Sequence, residues 1–149
     1  AIINSPNIDA GSRILINDFK KFENVNFFKF VNNLERNEFV NVYRQAKFQI
    51  GNSSSGILEA ASIPIPVINV GERMIGRKSQ KNVLFCDVNK VKIKKAIKKV
   101  LGYEFRLTNL QGIKNIYGEG DASNKAYKLL KELNIENYKD FRRDDPLKL

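Results

Sequence analysis

The fold of this chain is decided by the stretch Phe48-Gln49-Ile50-Gly51-Asn52-Ser53-Ser54-Ser55-Gly56-Ile57-Leu58-Glu59-Ala60. The run Phe48–Gly51 predicts a short strand, and a helix is expected to begin near Ser54 and to continue through Glu59 and Ala60. Small residues between strand and helix let the backbone approach a ligand, and the first turn of a helix offers unpaired N–H groups. No Gly-Lys-Ser/Thr follows, so this is not a Walker loop. A phosphate-binding loop and a serine-rich helix cap explain these residues equally well.

Outward from this loop, strand-like and amphipathic runs alternate along the chain. Such alternation predicts an α/β fold, with a parallel sheet of about six strands, helices on both faces, and the serine loop at the carboxyl end of a central strand. The expected strands are Ala1–Asn4, Val25–Lys29, Phe48–Gly51, Val67–Val70 and Val83–Cys86. The expected helices are Ser12–Phe22, Glu35–Gln45, the helix that begins near Ser54, Val91–Leu101, and a last helix that is capped by Asp121 or Ser123 and ends at Leu133. A Rossmann-like domain over residues 1–134 and a polar tail over 135–149, helical only at its start, complete the prediction.

Three further segments carry candidate site residues. Glu59, four residues after Ser55, could accept both hydroxyls of a ribose, although an acid stabilising the first helical turns is the simpler explanation of that residue alone. Arg73 lies in a glycine-bracketed loop after the Val67–Val70 strand, which suits a pyrophosphate, a closing lid or an ordinary surface turn. In the first strand-to-helix loop Asp9 or Ser12 serves as a helix cap, whereas capping explains Asn7 less well.

Composition excludes several classes of function. The chain has no histidine and one cysteine, Cys86, so it contains neither a His-dependent triad nor a zinc site nor a disulfide framework. Its apolar runs are too short to span a membrane, and a cytoplasmic protein is the simplest interpretation. The formal net charge is +10, but the lysines are spread over helix faces, which disfavours a nucleic-acid groove and suits attraction of an anionic substrate.

The motifs together resemble one family, the hydrolysing UDP-N-acetylglucosamine 2-epimerases. The segments that match the family's motifs, in the family's order and spacing, are Pro6–Arg13, Gly51–Ala60, Pro66–Gly71 with Arg73 and Gly76-Arg77, and Ile116–Ser123. The resemblance reaches to about Leu133 and is specific as a set, while each motif alone is weak. Met74 and Pro64 depart from it, since the family usually has Gln and Gly there.

The resemblance implies the C-terminal domain of a glycosyltransferase-B-like fold, in which UDP lies between two Rossmann-like domains. Ser53 and Ser54 would hold the phosphates, Glu59 the ribose, Leu34 would lie against uracil, Asn7 would line the site, and Arg73 would close over it. The family removes the C2 proton of the sugar and eliminates UDP. Water then adds to the 2-acetamidoglucal and releases N-acetylmannosamine for sialic-acid-type sugars.

The family's catalytic groups lie in an N-terminal domain, so no catalytic residue, metal or cofactor is expected here. The chain starts on a strand without an initiator Met, which we interpret as a fragment that begins at a domain boundary. The expected partners are a UDP-sugar, the N-terminal domain and, in the whole protein, further copies of itself, with neither nucleic acid nor membrane. Alternatives are a hydrolysing epimerase for UDP-di-N-acetylbacillosamine, a glycosyltransferase of the same fold, and a non-catalytic nucleotide-binding module.

Overall fold

A computed structural model of the chain describes residues 1–6 and 10–134. The chain forms two compact units, the first over Ala1–Lys47 and the second from Phe48 onward. Asn7 and Asp9, and the predicted tail 135–149, lie outside the described residues.

The first unit is a parallel strand pair with two helices. Its elements are β1 (Ile2–Asn4), α1 (Ser12–Lys20), β2 (Lys29–Val31) and α2 (Arg36–Gln45), and β1 pairs with β2 in parallel from Ile2↔Lys29 to Asn4↔Val31. Tyr43 of α2 is buried and its ring lies 5.0 Å from that of Phe39, so these two residues mark the inner face of this helix. The expected Ser12 cap is wrong, because Gly11 occupies the N-cap with φ +88° and Ser12 begins the helix.

The predicted strand over Val25–Lys29 is wrong as well. Residues 25–28 form tight turns in which the Val25 amide donates to the Phe22 carbonyl at 3.0 Å and the Phe28 amide to the Val25 carbonyl at 2.9 Å. The aromatic rings explain the difference, since Phe27 and Phe28 lie 4.3 Å apart and Phe28 also contacts Phe22. The strand therefore begins only at Lys29.

The second unit is a three-stranded parallel sheet with helices on both faces. Its elements are β3 (Gln49–Gly51), α3 (Ser55–Leu58), β4 (Val67–Val70), β5 (Val83–Cys86), α4 (Lys90–Leu101), α5 (Tyr103–Leu110) and α6 (Ala122–Glu132), and the strand order is β3-β4-β5. Val67 lies against Gly56 of α3, whereas Ile68 packs in a buried cluster with Ala96 and Val100 of α4. Successive side chains of a strand point to opposite faces, so α3 and α4 cover opposite faces of this sheet.

Two details of the sheet differ from the sequence prediction. The described residues form five strands in two sheets, instead of about six in one. Within the three-stranded sheet β3 is an edge strand and β4 is central, so the serine loop follows an edge strand and not a central one. The parallel pairing and the α/β class are confirmed.

The remaining differences from the sequence prediction lie in the helices of the second unit. In α4 Ala96 and Val100 pack into the core, and the Asn89 side chain caps the helix by accepting from the Val91 and Lys92 amides. Helix α5 was not predicted, and its Phe105 joins the same core cluster. Asp121 stands at the N-cap of α6 but does not cap through its side chain, which pairs with Lys125 at 3.0 Å. That hydrogen bond with Lys125 lowers the pKa of the Asp121 carboxyl. Across residues 1–6 and 10–134, none of the helices has the length and apolarity to cross a membrane.

Candidate functional site

The loop between β3 and α3 is built around the serine hydroxyl groups. The Oγ atoms of Ser53 and Ser55 lie 3.0 Å apart, and Gln49 Nε2 of β3 donates to Ser55 Oγ at 3.0 Å. Gly51, at the strand end, has φ +148°, a conformation that favours glycine. The strand thereby fixes Ser55 directly, and Ser55 in turn orients Ser53.

The cap interpretation of this loop finds little support. Ser54 occupies the N-cap position of α3 but its side chain makes no capping bond, and the Ser55 amide donates to the neighbouring Ser53 Oγ over a long 3.4 Å. Within the described residues the amides of Ser53 and Ser54 donate to no protein acceptor. Two N–H donors and an exposed hydroxyl thus remain available to an anion at this end of the strand.

Gly56 has a packing role, contrary to the expectation that the small residues of this loop serve the ligand. A Cβ at this position would lie 2.8 Å from Val67 Cγ1 and 3.0 Å from Gln49 Oε1. The first turn of α3 therefore touches the sheet itself, and only glycine permits that approach.

Glu59 follows α3 directly and is half-buried. The predicted helix is shorter than expected, ending at Leu58, and turns continue to residue 64. The Glu59 amide donates to the Ser55 carbonyl at 2.9 Å, which keeps the acid one turn from the serine loop. An acid at the carboxyl end of a helix gains nothing from the helix dipole, so the structural explanation considered for Glu59 loses its basis.

The arginine loop, residues 71–78, connects β4 to the segment before β5. Gly71 and Gly76 have φ values of +81° and +86°. Met74 is 1% exposed and anchors the loop in the core, whereas Arg73 and Arg77 on either side are exposed. Met74, the departure from the family pattern, thus acts as an apolar anchor that leaves both guanidinium groups at the surface.

The segment Asn115–Tyr117 connects the end of α3 to the end of the arginine loop by hydrogen bonds. The sequence pattern predicted no individual role for these residues. Asn115 Nδ2 donates to the Leu58 carbonyl at 2.7 Å and to Ser62 Oγ at 2.8 Å, and its Oδ1 accepts from the Tyr117 amide at 2.9 Å. The Tyr117 hydroxyl donates to the Lys78 carbonyl at 2.7 Å. Tyr117 belonged to a quoted motif, but these bonds join residues far apart in the chain and no local pattern predicts them.

The candidate residues are thus distributed over the two units. Ser53, Ser54 and Glu59 lie in one loop-and-turn segment of the second unit, and Arg73 lies in the arginine loop of the same unit. Leu34 belongs to the first unit, where it is half-buried just before the N-cap residue of α2. Among residues 1–6 and 10–134 no three His, Cys, Asp or Glu side chains gather as metal ligands would.

Comparison with known proteins identifies relatives that match most of the chain. The family model described as UDP-N-acetylglucosamine 2-epimerase matches residues 1–131. A UDP-N,N'-diacetylbacillosamine 2-epimerase (hydrolyzing) of Legionella pneumophila is 32% identical over 134 residues, which are 89% of this chain and 34% of that protein. A UDP-N-acetylglucosamine 2-epimerase of Neisseria meningitidis is 33% identical over 82 residues, 55% of this chain and 22% of that protein.

A solved structure shares the fold. The UDP-GlcNAc 2-epimerase of Methanocaldococcus jannaschii, solved in complex with UDP-GlcNAc and UDP, superposes with a TM-score of 0.69 at 18% identity, over 89% of this chain and 35% of that one. The chain therefore spans about a third of the length of its Legionella relative and of this solved structure.

Proposed function

The chain belongs to the UDP-N-acetylglucosamine 2-epimerase family, and we propose that it is the UDP-binding half of a hydrolysing UDP-N-acetylglucosamine 2-epimerase. The observation that carries the proposal is the serine loop, in which two N–H groups and the Ser53 hydroxyl remain available beyond the end of β3. Backbone and hydroxyl donors at this end of a parallel strand suit a nucleotide phosphate.

Each candidate residue has a defined task in this proposal. Ser53 and Ser54 donate to the diphosphate, and the Glu59 carboxylate accepts the ribose hydroxyls. Arg73 supplies positive charge over the diphosphate, where a guanidinium forms strong charge-assisted hydrogen bonds. Leu34 lies against the uracil, and Asn7 lines the site near the phosphate or the sugar.

The chemistry belongs to the complete protein. A base removes the C2 proton of the sugar, the electron pair forms the C1–C2 double bond, and the C1–O bond breaks as UDP leaves. Water then adds its proton at C2 and its hydroxyl at C1, which yields N-acetylmannosamine for sialic-acid-type sugars. In this reaction the described residues bind the leaving UDP, and a further N-terminal domain supplies the acid and base groups. We propose that the complete enzyme is cytoplasmic and associates with copies of itself.

A second substrate is supported by a specific observation. The Legionella relative, named for UDP-N,N'-diacetylbacillosamine, aligns with 89% of the chain, whereas the Neisseria relative aligns with 55%. The sugar differs between the two substrates while the UDP is the same. Both candidates therefore use the same serine loop.

The test compares loop variants of the full-length protein by calorimetric titration with UDP. Ser53→Ala and Ser54→Ala should each weaken UDP binding about tenfold to a hundredfold, because a hydrogen bond to a charged group contributes roughly 1.5–3 kcal/mol. Ser123→Ala, on the exposed surface of α6, is the matched control and should bind UDP normally. Unchanged affinity in both loop variants would refute the phosphate role.

The substrate is tested by measuring UDP release from each of the two UDP-sugars without any acceptor. A hydrolysing epimerase releases UDP under these conditions, and the faster substrate identifies the sugar. A glycosyltransferase of the same fold would release UDP only after an acceptor is added.

A further inference from the structure

The segment Asn115–Tyr117 bridges the end of α3 and the end of the arginine loop through side-chain hydrogen bonds. On this geometry we propose that Asn115 and Tyr117 are positioning residues, which hold Glu59 and Arg73 in place for a bound nucleotide. The inference rests on the proposed function, since it takes Glu59 and Arg73 as UDP ligands. Neither Asn115 nor Tyr117 touches the ligand in this proposal.

Asn115 fixes the peptide group that leads into Glu59. Its amide nitrogen has two hydrogens, and both are used, one by the Leu58 carbonyl at 2.7 Å and one by Ser62 Oγ at 2.8 Å. The Leu58 carbonyl belongs to the peptide bond whose nitrogen is that of Glu59. Holding this peptide plane sets the direction in which the Glu59 side chain leaves the backbone.

Tyr117 fixes the far end of the arginine loop. The start of the loop is held by the Gly71 amide, which donates to the Cys86 carbonyl at 2.9 Å, and the middle is held by buried Met74. At the end of the loop, the Tyr117 hydroxyl donates to the Lys78 carbonyl at 2.7 Å, one residue beyond Arg77. Without that bond the end of the loop loses this anchor, while the start and the middle keep theirs.

The two contacts form one connected path. The Tyr117 amide donates to Asn115 Oδ1. Asn115 therefore bonds both to the Leu58 carbonyl and to the backbone of Tyr117, whose hydroxyl bonds to the Lys78 carbonyl. Tyr117 is 46% exposed, so losing its hydroxyl should change the local geometry much more than the global stability.

The experiment uses the full-length protein and first removes the Tyr117 hydroxyl group alone. Tyr117→Phe should weaken UDP binding in calorimetry by about three- to tenfold, the effect of one neutral hydrogen bond, without moving the urea midpoint of unfolding. Tyr103→Phe is the matched control, because its ring is 80% exposed, and should bind UDP as the wild type does. In an Arg73→Ala background, Tyr117→Phe should cause no further loss, since its effect passes through the arginine loop.

Hydrogen exchange measured by mass spectrometry gives a readout that does not depend on UDP. Tyr117→Phe should accelerate amide exchange in peptides that cover residues 71–78. Asn115→Asp keeps the shape of the side chain but turns an oxygen toward the Leu58 carbonyl, and should accelerate exchange in peptides that cover residues 56–62.

The outcomes separate the two proposals. If the wild type binds UDP and Tyr117→Phe binds it equally well, or if the losses from Tyr117→Phe and Arg73→Ala multiply, the positioning role is refuted while the proposed function stands. Unchanged exchange in residues 71–78 refutes it as well. If the wild type itself does not bind UDP, the proposed function fails, and the positioning role fails with it even if exchange accelerates.

Discussion

Gly56→Ala tests whether contact between α3 and the sheet holds the serine loop in place. The new methyl group would lie 2.8 Å from Val67 Cγ1 and 3.0 Å from Gln49 Oε1. Val67 is 3% exposed on the central strand and cannot move aside, so the strain must displace α3 or the Gln49 side chain. Displacing Gln49 would break its bond to Ser55 Oγ.

The expected loss follows from two opposing effects. Overpacking of this kind costs typically 1–3 kcal/mol. Alanine is favoured over glycine inside a helix by roughly 0.8–1.0 kcal/mol, and less in α3, which has only four residues. We therefore expect Gly56→Ala to lower the free energy of unfolding by about 1–2 kcal/mol and to weaken UDP binding as the serine loop loses its support.

The assay is urea unfolding followed by circular dichroism, with Val67→Ala as the partner variant. Val67→Ala alone removes two buried methyl groups and should cost about 2 kcal/mol. It also removes Cγ1, the atom that the new methyl group meets, so the double variant should lose clearly less than the sum of the two single losses. Additive losses, or a Gly56→Ala protein as stable as the wild type, would contradict the contact derived from the structure.

Three further predictions follow from the site. Glu59→Gln should weaken UDP binding in calorimetry and leave the urea midpoint in place, because at the end of α3 the charge gains nothing from the helix dipole; a destabilised variant that binds UDP normally would assign Glu59 a structural role instead. Met74→Ala should lower the free energy of unfolding by about 2–5 kcal/mol, since it empties a buried site, and a midpoint equal to that of the wild type would show that Met74 does not anchor the arginine loop. Residues 1–149 alone should fold but release no UDP from UDP-N-acetylglucosamine in a coupled assay, because the proposed base and half of the cleft lie elsewhere; turnover at the rate of the full-length enzyme would place the catalytic groups in this chain.

The sequence predicted the second unit better than the first. Val67–Val70 is apolar except for Asn69 and Val83–Cys86 is apolar throughout, and both strands form at the predicted residues. The run Val25–Lys29 is also rich in apolar residues, but its phenylalanines pack on one another through turns, which the local pattern does not predict. Helix α5 was not predicted, and the structure shows that Gly102 is both the C-cap residue of α4 and the N-cap residue of α5, so one helix follows the other without a loop.

The candidate site was predictable only where it is local in sequence. Ser53, Ser54 and Glu59 were found because strand, loop and helix follow one another within a few residues. The role of Asn115 was not predictable, since its partner Leu58 lies 57 residues earlier in the chain. The packing role of Gly56 likewise depends on Val67, whose position is set by the sheet and not by the loop sequence.

The strand order of the second unit also bears on how the chain folds during its synthesis. The central strand β4 can pair with β3 as soon as it leaves the ribosome, but its other edge stays open until β5 follows roughly sixteen residues later. At translation rates of about 5–20 residues per second, that interval lasts roughly one to three seconds. During this time an apolar strand presents unpaired backbone groups to other nascent chains, a common route to aggregation. Slower emergence of the residues between Val70 and Val83 should therefore lower the soluble yield more than slower emergence of residues elsewhere in the unit.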